Sequence, residues 1–103
     1  MSLNAEERER TGKELQQNLS RVGLEAPQLA RRLGWSAARV ESTLAVDSDS
    51  DPTDVWEVRD FLTDTARQLG ADAMPFTALT PMARMRARMW FELRKPPRYT
   101  PSI

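Results

Sequence analysis

An all-α fold, a compact helix-turn-helix bundle of four or five helices, is predicted for this 103-residue chain by three observations. Apolar residues recur at three- and four-residue spacing. Pro, Gly and small capping residues punctuate those periodic runs at their expected ends. The segment LARRLGWSAARVESTL, from Leu29 to Leu44, carries the pattern of two short helices joined by a tight turn. The exception to helix is a short extended or strand segment near residues 75–79.

The first helix is expected from about Ala5 to Val22. Asn4 and Glu7 have the spacing of a capping box, and Glu6 with Arg10 and Glu9 with Lys13 are acid-first pairs four apart. Its apolar positions begin only at Leu15, Leu19 and Val22, so its first two turns either project from the core or lie against another element. Gly12 costs such a helix about 1 kcal/mol relative to Ala, which close packing at that point would explain. Gly23 ends the helix.

Pro27 belongs to the first turn of the second helix, where no intrahelical bond is lost. Leu29, Ala30 and Leu33 form its inner face, Gly34 stops it, and Ser36 caps a third helix whose Val40, Thr43 and Leu44 point inward. DSDSDPTD then ends in a helix start, with Asp51 as cap, Pro52 first and Asp54 near the positive end of the dipole. That fourth helix runs to about Leu69 and Gly70 closes it, with a stripe of Val55, Val58, Leu62, Ala66 and Leu69 widened by Trp56 and Phe61. Pro75 disfavours helix through MPFTAL, making Phe76 to Leu79 an extended strap or strand. Thr80 and Pro81 open a fifth helix expected to continue until Pro96 and Pro97, followed by a loose tail over 98–103. The whole is expected to be a single domain, with a helical core over 1–72, the helix-turn-helix at 26–45 and a basic extension over 73–103.

Composition narrows the chemistry. The absence of Cys and His removes disulfides, thiolate or imidazole metal sites and His-based triads, and the carboxylates that remain sit in an acidic loop or on helix surfaces with no pocket implied, so no enzyme, cofactor or metal is expected. DSDSDPTD lacks the central Gly and closing Glu of a calcium loop. No run of about 18 apolar residues is present, and MSLNAEERER has no apolar stretch behind a basic one, so a cytoplasmic protein is expected, without membrane contact. The net charge of zero conceals segregation: residues 47–72 hold eight acids against two bases, and residues 73–103 hold six bases against one acid. These two thirds are expected to pair within a monomer or across a dimer, or to bind partners.

In the helix-turn-helix, Ala30 supplies the close approach, Gly34 the turn, and Leu29, Leu33, Val40 and Leu44 the apolar contact. DNA binding is argued from the outward residues. Arg39 has the donors for guanine, Ser36 and Ser42 suit base or phosphate, and Gln28, Arg31 and Arg32 suit the backbone. Glu41 opposes phosphate, and the larger basic reservoir lies in 73–103. There, Met82, Met85, Met89 and Leu93 share one helical face, with Trp90 beside them. Packing of this face on helix 4, with the arginines paired to Asp54, Asp60 or Asp64, is preferred over base stacking; a partner or homodimer contact is the remaining role for these five residues.

The chain also resembles a family of small bacterial proteins, the domain of unknown function 2316, similar in architecture to lambda-repressor-like helix-turn-helix domains. The resemblance rests on MSLNAEERERTGKELQQNL, GLEAPQLARRLGWSAARVESTL, DPTDVWEVRDFL, PFTAL and MWFEL, and departs from the family in the longer arginine-rich stretch between the last two. It implies the fold and a bacterial cytoplasmic setting, and no activity. The expected function is DNA binding as a transcriptional regulator or accessory factor; the alternative is a protein-interaction module that uses the helix-turn-helix as scaffold.

Overall fold

The computed structural model describes residues 3–100. It contains five α-helices, α1 (Ala5–Arg21), α2 (Ala26–Leu33), α3 (Ala37–Ala45), α4 (Pro52–Leu69) and α5 (Pro81–Ala87), with no strand among the described residues. α1 packs on both α3 and α4, and α3 also touches α2 and α4, so α3 is clasped by the other three. Leu15 and Leu19, Leu29, Val40 and Leu44, and Val58, Phe61 and Leu62 are buried where these four helices meet. Each contributes about 1.5–3 kcal/mol of apolar transfer.

The helix ends follow from local chemistry. Asn4 accepts from Glu7 N at 2.8 Å while its own N–H donates to Glu7 at 3.0 Å, completing the reciprocal cap. Ser36 and Asp51 cap α3 and α4 as expected, accepting from Arg39 N and Thr53 N. α3 ends without glycine: Val46 takes φ 49°, a left-handed conformation that costs a β-branched residue roughly 1–3 kcal/mol. The Val46 side chain is only 4% exposed, and its burial holds the strained backbone in place.

The first turn of α1 is largely solvent-facing, and the second meets a neighbouring element through Arg10, whose Nε donates to the Thr77 hydroxyl at 2.7 Å, and through buried Thr11. Gly12 faces the end of α3, where a Cβ would come within 3.1 Å of the Leu44 carbonyl oxygen. The chain over 74–79 crosses α1 as an irregular strap that bends over 77–79 and pairs as no strand, so the extended segment expected there is not kept to Leu79. Buried Asn18 stands in for a sheet partner, accepting from Met74 N at 2.7 Å and donating to the Met74 carbonyl at 3.1 Å. Glu14 accepts from both Thr77 N and the Thr77 hydroxyl. The strap delivers Phe76 and Leu79 to the core.

Two expectations are corrected. Leu69 is 46% exposed, because the apolar stripe of α4 runs off the bundle in its last turn. The fifth helix ends at Ala87 instead of continuing to Pro96. Trp90 N and Phe91 N both donate to the Ala87 carbonyl, turning the chain. That turn returns Phe91 and Leu93 to the core and brings Arg94 to α4.

Replacing Gly12 by Val is expected to destabilise the protein by about 1–3 kcal/mol, because its methyls meet backbone of α3 that cannot rotate away. Ala at this position should be near neutral, its helix propensity offsetting the tight contact. Urea midpoints at constant slope would test both.

Candidate nucleic-acid interface

α2 and α3 are joined by Gly34, Trp35 and Ser36, with Gly34 at φ 71°. Only a residue without Cβ takes this conformation at low cost, and it allows α3 to begin after only three intervening residues. Ala30 is buried at the contact between the pair. Ser36, Ala37, Ala38, Arg39 and Glu41 face solvent on the first turns of α3, and Ser42 is half-buried.

Arg39 does not hang freely from this surface. Its Nε and Nη2 donate to the two carboxylate oxygens of Asp54 at 2.8 and 2.7 Å, and its guanidinium lies 3.9 Å from the centre of the Trp35 ring. Asp54 stands in the first turn of α4 and is 5% exposed. It also accepts from Arg94, whose Nε donates to Glu57 at 2.7 Å. Two arginines and two carboxylates thus form one local neutral cluster.

The hydrogen bonds from Arg39, aided by Arg94, hold the Asp54 carboxyl below its ordinary range against the opposing effect of burial. Asp54 in turn raises the Arg39 guanidinium. Burial acts to lower Arg94, but its bonds to Glu57 and Asp54 outweigh that and leave it raised.

The other candidates are placed unevenly. Arg31 is exposed and makes no side-chain hydrogen bond or ion pair among the described residues. Arg32 lies 4.3 Å from the centre of the Tyr99 ring and donates to the Thr100 carbonyl. Gln28 Oε1 accepts from Glu25 N at the start of α2, and the Ser42 hydroxyl donates to Asp47. The Ser36 oxygen is occupied by its cap.

The acidic and basic segments meet within one chain at Arg84 and Arg94. Arg84 bonds Asp60 and stacks toward Trp56, 4.7 Å from the ring centre, while Asp64 pairs with Arg67 of its own helix. The expectation that the Met face packs on α4 is corrected: Met82, Met85, Met89 and Trp90 are 65, 67, 79 and 68% exposed, and only Leu93 turns partly inward. α5 instead sets Ala83 and Ala87 toward the core. Their small side chains allow the close approach that lets Arg84 reach Asp60.

The bond from Arg39 to Asp54 was not readable in the sequence. Asp54 and Glu57 share a helical face by their three-residue spacing, which signals a common partner without naming it. Trp35 and Tyr99 carried no signal for stacking under arginine. Among the described residues no group of three or more acids is arranged to hold a metal ion, and no helix is long and apolar enough to cross a membrane.

Fold and surface together define a small all-α protein that presents the solvent-facing side of a short, clasped helix beside an ion-paired cluster. It belongs to the bacterial family described as "uncharacterized protein conserved in bacteria (DUF2316)", whose model matches residues 1–92. No curated protein and no solved structure matches the chain.

Asp54→Asn is expected to cost about 1–3 kcal/mol near neutral pH, because two arginines lose a charged acceptor. Since the folded pKa is depressed, this stabilisation is present above the unfolded carboxyl pKa of about 3.9 and is lost as pH falls through the folded value. Urea unfolding of wild type and variant from neutral to strongly acid pH should therefore show their stabilities converging on the acid side.

Proposed function

We propose that this chain is a lambda-repressor-like helix-turn-helix protein that binds DNA, acting as a transcriptional regulator or accessory factor, with α3 entering the major groove. The observation that carries this reading is Arg39, fixed on the exposed side of α3 by Asp54 and Trp35. A guanidinium has five N–H donors in a planar fork, and Asp54 uses two of them. The rest remain for guanine O6 and N7, and the fixed fork limits the entropy lost on forming those bonds. Ala37 and Ala38 suit a thymine methyl, and exposed Arg31 suits phosphate.

The charge balance sets the strength of this interaction. Few cations face outward near α3, so phosphate neutralisation is modest and binding is expected to be weak outside low salt. Arg39→Ala should reduce affinity for a preferred duplex by about 1–3 kcal/mol, and Arg39→Lys should not restore it, because an ammonium cannot bond Asp54 and guanine as a planar fork. Selection from a mixed duplex pool at low salt followed by anisotropy titration measures both. Absence of salt-sensitive binding by wild type would refute DNA recognition.

The exposed row of Met82, Met85, Met89 and Trp90 favours a second role, association through α5. Methionine side chains adapt to a facing surface, and a second copy is the simplest partner, since helix-turn-helix proteins commonly read paired half-sites as dimers. Met85→Glu is expected to shift a concentration-dependent sedimentation profile to monomer while leaving the circular dichroism unchanged. A wild-type chain that stays monomeric at every concentration would remove this role.

A further inference from the structure

The segment after α5 is held in an unusual way. From Glu92 to Thr100 it has neither helix nor strand, so no backbone ladder fastens it. Three groups of contacts do so instead. Arg94 bonds Glu57 and Asp54 near the start of α4. Further along the same helix, the Tyr99 ring meets Phe61 edge-on at 6.5 Å and the Tyr99 carbonyl accepts from Gln68 at 3.2 Å. The third group reaches α2, where Arg32 stacks on Tyr99 and donates to the Thr100 carbonyl. Leu93, Pro96 and Tyr99 are half-buried beneath this path, and Pro96 and Pro97 keep it extended.

Of the arginines Arg31, Arg32 and Arg39 on the α2–α3 face, this segment engages two and leaves Arg31 in solvent. Arg32 is covered directly, and Arg39 shares its carboxylate with Arg94. The family match covers residues 1–92, and these contacts, which begin at Arg94, lie outside it. Side-chain anchors without backbone pairing open at low cost compared with a core helix.

We infer that residues 93–100 form an autoinhibitory strap that occupies Arg32 and lowers DNA affinity until it is displaced. This rests on the DNA-binding role proposed above. When the strap lifts, Arg32 exchanges the Tyr99 ring and the Thr100 carbonyl for a backbone phosphate, adding one neutralised phosphate to the complex. Asp54 keeps Arg39 throughout, so release changes the electrostatic contribution to binding and leaves the guanine-reading fork in place.

The test uses the full chain and a mixed-sequence duplex, titrated by anisotropy across a salt series. Tyr99→Ala is expected to bind roughly fivefold more tightly at low salt, with a log K against log salt slope steeper by about 0.9. Tyr99→Phe, which keeps the ring, should behave as wild type. The gain from Tyr99→Ala should vanish when Arg32 is also replaced by Ala. Equal affinity and slope for wild type and Tyr99→Ala would overturn the strap while leaving DNA binding intact; binding by neither would remove the DNA-binding role and the strap's function with it. A measurement on wild type alone guards against misfolding of the variant: duplex should accelerate tryptic cleavage after Arg98, and an unchanged or slower rate overturns the inference.

Discussion

The carboxylate of Asp54 is the point on which the arrangement turns. It lies in the first turn of α4, where the positive end of the helix dipole favours an anion, and it receives Arg39 from α3 and Arg94 from the C-terminal segment. Three parts of the chain far apart in sequence meet at one nearly buried group. An isolated carboxylate could not be kept charged there without a large solvation cost; two guanidiniums offset that cost and are oriented by it. The bond that stabilises the monomer therefore also sets the direction in which Arg39 faces solvent.

The same economy appears where the chain crosses α1. The 74–79 strap has backbone groups to satisfy and no neighbouring strand, and the buried side chains of Asn18 and Glu14 supply the donors and acceptors a sheet edge would have offered. Polar residues on α1 thus keep an irregular segment tight enough for Phe76 and Leu79 to complete the core. Both non-helical segments are fastened by side chains, and they differ in what they cover. One closes the core, and the other crosses a face proposed to meet DNA.

Charge segregation along the chain is partly neutralised within one chain, where Arg84 and Arg94 meet three of the acids of α4. Arg84 and Arg94 neutralise Asp60, Asp54 and Glu57, so the basic segment loses part of its outward charge to the acidic helix. This inward pairing accounts for the early end of α5. A helix continued to Pro96 would carry Phe91 and Leu93 along a straight axis; the turn after Ala87 lets both reach the core and leaves the methionine row in solvent. No glycine or proline marks that stop.

Helix starts and stops were legible because a few local residues decide them: Asn4 with Glu7, Ser36, Asp51 with Pro52, and the glycines at 23, 34 and 70 act within one turn of their own position. The inward faces of α1 to α4 were legible for a related reason, since helical periodicity places them before any neighbour is known. Val46 escaped notice because a left-handed valine has no local signature and persists only through burial. The sequence by itself determined the four principal helices and the α2–α3 pair. Tertiary structure alone decided which carboxylates Arg39, Arg84 and Arg94 meet, where α5 ends and which face of it stays exposed, because those outcomes depend on contacts between residues 15 to 40 positions apart that no local periodicity encodes.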